Sequence, residues 1–432
     1  MRWLAVLLVL VVNGCANETP RPLGASGFEG RLLALSDVDM PGSAYADGRL
    51  DPIPGAVDTL SLVEPDRGAI AAQPAPNSVL SWPQILATSP DGRFAYVVET
   101  RGSPRRGAAS IGSVSELPAG SKLTAYEILG AGLRTIAEAD AGPNPQSVSP
   151  SADGRWLATV NERGGGEVII FALSDGRPER RFVFPLRLRF EEGDAERFPR
   201  SLAWSPAGDW LAVNVALRRI AFFRILRGEH GEPEGIEAHG APLPVGKRLS
   251  RGIWTADGRR YLVPDINAGP SALSRVVGAK GLVAVVAFDE SDRAAHRVVA
   301  RAAVGGSPEG LALSPDERRV ATVNLERTFL PERWFLNWLP GRSRYTVDLL
   351  DFDRAAGTLT PRDRVAAEGI LPEDLVFDPT GRRLAVAVFH RRHGPERRQG
   401  FLDFFSIVDG RLVAKGAPVR LPRGAHDVEL VR

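Results

Sequence analysis

The stretch SPEGLALSPDERRVATVN, from Ser307 to Asn324, has the pattern of a complete β-hairpin. Its first strand, Leu311–Leu313, alternates large and small apolar residues at the period of a strand. Ser314–Asp316 (SPD) then turns the chain, because proline presets φ and aspartate hydrogen-bonds the backbone that follows. The return strand, Val320–Val323, is apolar or β-branched on both faces, which indicates burial between packed sheets. Since a lone hairpin is marginal in water, this one needs neighbours.

Five further stretches repeat this hairpin. Each combines a short apolar strand, a turn rich in Pro, Asp and Gly, and a β-branched return strand: ILATSPDGRFAYVVE from Ile85, SVSPSADGRWLATVN from Ser147, SLAWSPAGDWLAVN from Ser201, GIWTADGRRYLVPD from Gly252 and DLVFDPTGRRLAVAV from Asp374. The turns recur about every 50 to 60 residues, a period typical of four-stranded propeller blades with variable loops. Apolar residues do not recur at helical spacing over long windows, which excludes a helical solenoid.

The two ends of the chain together supply one more blade. Arg31–Leu35, Val57–Val63 and Gly68–Ala72 have the pattern of three strands that follow no inner hairpin, and Ala425–Val431 matches the opening strand of the repeat. We therefore predict an all-β, seven-bladed β-propeller of four-stranded blades over residues 28–432. Its last blade is closed by one C-terminal strand and three N-terminal strands, which protects the edges that an open array would expose.

Two parts of the repeat resemble known propellers. Gly281–Asn324, with its apolar strand, its GGSPEGLALSPD corner and its ATVN ending, resembles the YVTN-type β-propeller repeat family. LLDFDRAAGTLT, which begins at Leu349, resembles the related lactonase-like propellers. The resemblance extends as a repeat pattern from Phe28 to the C-terminus. It implies the fold, but implies little about function, because this family includes many surface and periplasmic proteins without assigned chemistry.

The N-terminus, MRWLAVLLVLVVNGC, has the pattern of an export signal. Its apolar run, Trp3–Val12, is too short to span a bilayer, which predicts a signal peptide over residues 1–14. The VNGC ending resembles the bacterial lipobox, which implies a lipidated Cys15, the single cysteine of the chain. Cleavage near Ala16 by the ordinary signal peptidase is the alternative. Residues 15–27 are predicted to form the lipidated cysteine and a polar, flexible tether.

The predicted anchor also indicates a location. Ala16 lacks the acidic character associated with retention at the inner membrane, so we expect an exported lipoprotein of the outer membrane that faces the periplasm in a Gram-negative host. A formal net charge of +2 is close to balanced, which argues against a nucleic-acid partner. We expect a monomer that binds no metal and no cofactor.

Two segments depart from the repeat. The first is the basic loop His390–Arg398 (HRRHGPERR), for which an anionic partner or a membrane surface competes with the favoured interpretation, a solvated loop. A metal pair from His390 and His393 lacks an identifiable third ligand. The second is the aromatic insertion Arg327–Arg344, whose Trp334 and Trp338 indicate either a lid or partner patch, or a segment folded back on its neighbours.

The register of the repeat predicts one polar residue per blade around one mouth of the central channel. These residues are Gln84, Gln146, Arg200, Ser250, Glu309, Glu373 and His426. The ends of the return strands should lie on the same face, at Glu99, Asn161, Asp265 and Asn324. Arg200 and Arg251 come from adjacent blades, as do Glu309 and Glu373, so the mouth is expected to be positive on one side and negative on the other. Polar loop corners without a function are the alternative.

Motifs of covalent chemistry are missing from the sequence: it has no GxSxG, no HExxH, no phosphate-binding glycine loop and no cysteine besides Cys15. We therefore predict a binding or scaffold module whose channel mouth recognises an envelope protein or a small ligand, rather than an enzyme. The alternative is a lactonase-like hydrolase, because lactonases that resemble this fold use His, Glu and Arg groups at the mouth. In that case Glu309 or Glu373 would activate water, Arg200 would stabilise the oxyanion and His426 would shuttle a proton.

Overall fold

A computed structural model of the protein describes residues 25–76, 84–105, 107–192, 194, 198–267, 280–331 and 340–432. Within these ranges the chain forms seven antiparallel sheets, each with four strands in continuous order from the channel outwards. The predicted all-β, seven-bladed propeller is therefore confirmed. Cys15, Trp334 and Trp338 lie outside the described residues, so the predictions that involve them remain predictions.

In chain order the strands are β1 (Arg31–Ser36), β2 (Thr59–Glu64), β3 (Gly68–Pro74), β4 (Leu86–Thr88), β5 (Phe94–Val98), β6 (Lys122–Ile128), β7 (Leu133–Asp140), β8 (Ser147–Pro150), β9 (Trp156–Val160), β10 (Val168–Ser174), β11 (Arg177–Phe184), β12 (Pro199–Trp204), β13 (Trp210–Val215), β14 (Arg219–Arg227), β15 (Pro233–Ala238), β16 (Leu243–Pro244), β17 (Ile253–Trp254), β18 (Arg260–Asp265), β19 (Leu282–Ala287), β20 (Arg297–Ala303), β21 (Pro308–Leu313), β22 (Arg319–Asn324), β23 (Arg344–Asp353), β24 (Thr358–Glu368), β25 (Ile370–Phe377), β26 (Arg383–His390), β27 (Gln399–Val408), β28 (Arg411–Ala414), β29 (Val419–Pro422) and β30 (Ala425–Val431). A short helix, α1 (Ala44–Asp47), follows β1, and single 3₁₀ turns cover Val114–Glu116 and Gly394–Arg398.

Blades one to six follow the chain and each begins at the channel with a predicted hairpin. They consist of β4–β7, β8–β11, β12–β15, β17–β20, β21–β24 and β25–β28, and the short strands β16 and β29 extend blades three and six. The stretch Ser307–Asn324 forms β21 and β22, paired from Pro308 opposite Asn324 to Leu313 opposite Val320. The sequence pattern therefore located both the hairpin and its turn.

Blade seven joins the two ends of the chain. β30 lies at the channel and pairs with β1, so that Ala34 lies opposite Val428, and β2 and β3 complete the blade. This is the predicted closure, and β30 has the predicted bounds. Ser26, in the predicted tether, is already buried and its Oγ donates a hydrogen bond to the Asp66 carboxylate (2.6 Å).

The core lies between neighbouring blades rather than in one centre. Between blades five and six, for example, Val323 and Tyr345 pack with Leu375 and Val386 in one buried cluster. The second strands are buried at every position after the first, and β5, β9 and β13 are buried throughout, because a neighbouring blade covers each of their faces. This arrangement explains why the return strands of the repeat carry apolar residues at successive positions.

One face of the propeller, which we call the turn face, carries the tight turns between the first and second strands. In blade one, Ser89 Oγ donates to Asp91 (2.5 Å) and accepts from the Phe94 N–H (2.9 Å), while Asp91 accepts from the Arg93 N–H (3.1 Å). The same three bonds recur in blades two, four and five. Glycine is favoured at this turn position because the chain adopts φ of +67° at Gly92, although Glu317 takes the same place in blade five with φ of +54°.

The opposite face, which we call the mouth face, carries the loops between the second and third strands. Some are short, such as residues 216–218 in blade three, whereas residues 37–58 in blade seven and 99–121 in blade one are long. The first strands begin at this face, so the loops surround the mouth of the channel. Loops of this length without repeated structure are commonly functional.

Candidate functional site at the channel mouth

The predicted mouth residues lie at the start of the first strands and contact one another across blade boundaries. The contacts are Arg200 Nη1 donating to Gln146 Oε1 (3.0 Å), Ser250 Oγ donating to the Glu309 carbonyl (2.8 Å), His426 Nδ1 lying 3.6 Å from Glu373 Oε2, and the Gln84 N–H donating to Asp427 (2.9 Å). The repeat register therefore brought together residues that are far apart in sequence.

A second group of charged residues lies next to the predicted mouth residues: Arg251, Asp374 and Asp427 each follow one of them directly, and Glu429 lies two residues beyond Asp427. Arg251 of blade four places Nη1 3.4 Å from Asp374 Oδ2 of blade six and 3.8 Å from Asp427 Oδ1 of blade seven, and Nη2 3.7 Å from Glu429 Oε1. Because blades four and seven lie across the ring from each other, the side chain of Arg251 crosses the channel. We call these four residues the channel plug.

Burial dominates the electrostatics of the plug. Burial raises the pKa of Asp374 well above its usual range although Arg251 opposes the shift, and burial raises the pKa of Glu429 to about 7. Burial also disfavours the charged guanidinium, yet Asp374, Glu429 and Asp427 outweigh this effect and raise the pKa of Arg251. Arg251 therefore stays charged, whereas burial favours the protonated forms of Asp374 and Glu429.

The plug corrects one expectation from the sequence. Arg251 was expected to make one side of the mouth positive together with Arg200, but its charge lies among the acids of blades six and seven. Gly310 occupies the matching register position in blade five, and it has no side chain that would separate Arg251 from these acids. Asp374 and Asp427, which sequence reasoning missed, follow the predicted mouth residues directly in DLVF and HDVEL, so the same register contained the necessary information.

Asp427 also joins the last blade to the first. Its Oδ2 accepts the N–H groups of Gln84, Ile85 and Leu86 at 2.9 to 3.0 Å. In the same way, Asp374 accepts from the Val428 N–H at 3.2 Å. Buried carboxylates that accept backbone N–H groups of a neighbouring element are costly to remove, because they leave those donors unsatisfied.

Glu373 and His426 form a buried pair, exposed by only 4% and 2%. Burial, with Glu309 and Asp37 nearby, raises the pKa of Glu373 well above its usual range. Burial lowers the pKa of His426 to about 4. At neutral pH the imidazole of His426 is therefore neutral, burial favours the protonated carboxyl of Glu373, and the two do not form an ion pair.

The predicted residues at the strand ends hold loops in place. Asn161 Nδ2 donates to the Gly166 carbonyl (3.0 Å), and Asn324 Nδ2 donates to Asp348 (2.7 Å). Asp265 accepts from the N–H groups of Lys247 (3.1 Å) and Arg248 (2.9 Å). These side chains are buried and are used by the fold.

Four long loops of the mouth face pack on one another. We call this the mouth cap; it consists of residues 37–58, 99–105 with 107–121, 325–331 and 391–398. The Leu50 N–H donates to the Ala109 carbonyl (3.0 Å) and the Ile111 N–H to the Gly48 carbonyl (2.8 Å), which joins blades seven and one. Tyr45 contacts two small apolar clusters, one around Met40 and one around Phe389, so the cap has a core of its own.

The basic loop is only partly the solvated loop that was expected. His393 and Arg397 are exposed, but His390 and Arg392 are buried, because residues 37–58 lie over them. The Gly42 N–H donates to His390 Nε2 (3.1 Å), and His390 Nδ1 lies 2.6 Å from the carbonyl oxygen of the next residue. Burial lowers the pKa of His390 to about 4, so this imidazole is neutral at physiological pH.

Arg391, between the two buried residues, is also held by the fold. Its Nη1 donates to the Asp403 carboxylate of β27 (3.0 Å), and its guanidinium lies over the ring of Phe401, 4.5 Å from the centroid. The first three residues of the basic loop are therefore structural, and only its later part is solvated.

A pocket of about 280 Å³ lies where the mouth cap meets blades five and six. Arg49, Arg392 and Arg397 line it together with Asp47 and Asp51, and Leu50, Leu330 and Ile370 contribute apolar surface. Asp51 is shared with Arg423 (3.4 Å) and Arg398 (3.9 Å). The lining therefore carries a positive excess and suits an anion. We call it the mouth pocket.

The described part of the aromatic insertion contributes to the same region. Phe329 packs against the cluster of Ile370, Leu371 and Phe389, and Leu330 reaches the pocket. Sequence reasoning noticed this insertion and the basic loop separately. It missed residues 37–58, although the distance between the first two predicted strands showed that a long loop separates them.

The residues that the structure describes include no helix long and apolar enough to cross a membrane. No protein-family model matches the chain, and no curated protein matches it either.

Solved structures do share the fold. A periplasmic gluconolactonase of Pseudomonas aeruginosa is 21% identical with a TM-score of 0.60, over 93% of this chain and 99% of that one. A candidate 6-phosphogluconolactonase of Bacteroides fragilis NCTC 9343 is 15% identical with a TM-score of 0.61, over 94% and 99%. A hypothetical selenium-binding protein of Sulfolobus tokodaii is 11% identical with a TM-score of 0.54, over 93% and 94%. Identities this low show a common architecture and leave the activity open.

Proposed function

We propose that the protein is a binding module that recognises an anionic small molecule in the mouth pocket. The observation that carries the proposal is the position of three arginines, Arg49, Arg392 and Arg397, around one cavity of about 280 Å³ on the mouth face. Guanidinium groups bind phosphate and carboxylate groups through charge-assisted, often bidentate hydrogen bonds. The apolar surface of Leu330 and Ile370 would contact the uncharged part of the ligand.

The burial of the mouth residues favours recognition over catalysis. A catalytic group must touch its substrate, whereas Glu373 and His426 are almost completely buried. Arg49, by contrast, is exposed and lines the cavity. The accessible chemistry of this face is therefore that of anion binding.

Calorimetric titration of the purified protein would test the proposal. Sugar phosphates and aldonic acids would be compared with their neutral parent sugars, and we expect only the anions to bind. Arg49→Gln combined with Arg397→Gln should weaken binding about 10-fold or more, the usual effect of losing charge-assisted hydrogen bonds. Arg411→Gln is the matched control, because Arg411 is exposed on β28, in the outermost strand of blade six.

Equal affinity for the neutral sugars, or full affinity in the double variant, would show that the mouth pocket is not an anion site. In that case an envelope protein would be the remaining binding partner on this face. If the wild type binds no small ligand but co-purifies with an envelope protein, and the double variant does not, that envelope protein is the binding partner.

A lactonase-like hydrolase is the second candidate, and the Glu373–His426 pair favours it. The neutral imidazole would take a proton from water that attacks the lactone carbonyl, and the protonated carboxyl would donate one to the leaving oxygen. The fold shared with the gluconolactonase adds to this candidate. Arg200 was expected to stabilise the oxyanion. Instead it donates a hydrogen bond to Gln146, and this contact joins blades two and three.

Sugar and acyl lactones are the substrates with which to test the second candidate. We expect no turnover above the uncatalysed rate. Turnover that disappears in Glu373→Gln, in Glu309→Gln or in His426→Gln, with folding intact, would replace the binding proposal by the hydrolase.

We also propose that the propeller is tethered by a lipid on Cys15 at the outer membrane, facing the periplasm. The single cysteine in a lipobox-like VNGC supports this. Cys15→Ser should move the protein from the membrane fraction to the soluble fraction, and an unchanged distribution would contradict the proposal.

A further inference from the structure

Three carboxylates lie together where residues 37–58 leave and rejoin blade seven. Asp37 and Asp39 follow β1, and Asp58 precedes β2. One oxygen of each carboxylate lies within 4.8 Å of the others. Oxygens on opposite sides of a Ca²⁺ ion are separated by about 4.6 to 5.2 Å, since its ligands lie at about 2.3 to 2.6 Å. The spacing therefore suits a shared cation.

The cluster is pre-arranged by backbone hydrogen bonds. The Val38 N–H donates to Asp58 Oδ1 (2.8 Å), and the Asp39 N–H donates to Asp37 Oδ1 (3.0 Å). These bonds hold one oxygen of Asp37 and one of Asp58. They place the two ends of the loop side by side.

A second observation indicates a ligand. Asp37 is only 1% exposed, and among the described residues its Oδ2 has no hydrogen-bond partner. A buried carboxylate oxygen normally has a donor or a metal, because burial without either is costly. The neighbouring guanidinium of Arg423 donates elsewhere, to the carbonyls of Val38 (2.7 Å) and Asp51 (2.7 Å).

We propose that Asp37, Asp39 and Asp58 bind a divalent cation, Ca²⁺, which fastens the two ends of the loop 37–58. Carboxylate oxygens are the ligands that Ca²⁺ prefers, and water or backbone carbonyls would complete its coordination. The ion would hold in place a loop that contributes Arg49 and Asp51 to the mouth pocket. The proposal stands independently of what the pocket binds.

The full chain, freed of metal with a chelator that is then removed, would be titrated with CaCl₂ by calorimetry and followed by thermal melting. We expect one ion per chain and a rise in melting temperature, because a ligand that binds only the native state stabilises it. Asp37→Asn and Asp58→Asn should each weaken binding about 10-fold or more and remove the Ca²⁺-dependent rise. Asp409→Asn is the control, since Asp409 is an exposed aspartate that directly follows β27, outside the cluster and the mouth pocket.

The variants remain informative about folding. Without Ca²⁺, Asp37→Asn and Asp58→Asn should melt no lower than the wild type, because each removes repulsion between carboxylates. The proposal is overturned if the wild type binds no Ca²⁺ at millimolar concentration, or if both variants bind it as the wild type does. Tighter binding of Mg²⁺ or Mn²⁺ than of Ca²⁺ would overturn the choice of calcium.

Discussion

The two faces of the propeller are built in opposite ways. On the turn face the same Ser, Asp and Arg positions make the same local hydrogen bonds in blade after blade. On the mouth face the loops differ from blade to blade, from the short connection 216–218 to the long one 37–58, and they bond to one another across blades. The difference teaches that the repeated part of the sequence determines the fold, while the unrepeated part contains the candidate site.

The largest loss of stability is expected when β30, the strand that closes the ring of blades, is removed. Deletion of Ala425–Arg432 removes β30, Asp427 and the inner partner of β1. We expect the loss of several kcal/mol and of cooperative unfolding, because an apolar edge is exposed on both sides of the gap. Thermal melts of the deletion and the full chain would measure it. An unchanged melting temperature would mean that the blade is not shared.

The second-largest effect on stability is expected from the channel plug, which lies on the mouth side of the propeller and not in its turns. Arg251→Met should cost about 3 to 5 kcal/mol, because it leaves buried acids without their cation. The loss should shrink as the pH falls below about 7, the pKa of Glu429, since Glu429 then becomes neutral. Denaturant unfolding at several pH values would show this. Arg411→Met, on an exposed outer strand, should change stability by less than about 0.5 kcal/mol.

Lowering the pH should reduce the contributions of the two faces to stability over different pH ranges, because each face carries different titratable groups. The pKa of His426 is lowered by burial to about 4, so the unfolded chain binds more protons than the native one between about pH 6.5 and 4. Stability from this residue is therefore lost as the pH falls through that window. On the turn face, desolvation alone would raise the pKa of Asp91, but hydrogen bonds from Ser89 and the Arg93 N–H, with the charge of Arg93, together outweigh it and lower this pKa. Its contribution is lost only below the ordinary aspartate pKa of about 4.

The unfolding free energies of the wild type and of His426→Gln, compared at several pH values, separate the contribution of His426 from those of nearby Glu373 and Asp427. We expect this difference in unfolding free energy to change by about 1.4 kcal/mol for each unit of pKa shift. A difference that does not vary between about pH 6.5 and 4 would contradict the burial of a neutral imidazole.

Substitutions in single turns should have the smallest effects on stability, and these effects should be similar from one turn to the next. Ser89→Ala and Ser314→Ala each remove one bond to an aspartate and one to a backbone N–H. We expect each to lower stability by about 0.5 to 1.5 kcal/mol and neither to change ligand binding at the mouth. Urea unfolding, with titration of the same variants, would measure both. A binding defect in either variant would mean that the two faces are coupled.

The fold was predictable to the level of individual strands because its information is local and repeated. The alternation in Leu311–Leu313 and the turn at Ser314–Asp316 specify a hairpin without knowledge of the rest of the chain. The closure by Ala425–Val431 followed from the same pattern. Each blade confirms the register of the others, which is why the mouth residues could be listed by counting.

The candidate site was less predictable because its contacts are between unlike loops. Arg49 and Arg397 line one cavity only because residues 37–58 fold over blade six, and no local pattern encodes that packing. Arg251 was assigned to the wrong side of the mouth because the length of its side chain lets it cross the channel, which register alone does not show. Burial, which sets the protonation of Glu373 and His426, likewise depends on the assembled ring.

The shared blade also determines the order in which the molecule can be completed. During synthesis β1 emerges early, but its inner partner, β30, is made after the other six blades, so the pairing of Leu33 with Glu429 forms late. Joining segments so distant in sequence is slow, because loop closure precedes the contacts that reward it. A nascent chain therefore remains an open arc with unpaired strand edges until β30 appears. Synthesis of β30 therefore acts as a checkpoint, and a chain terminated before this strand would be left to chaperones and proteases.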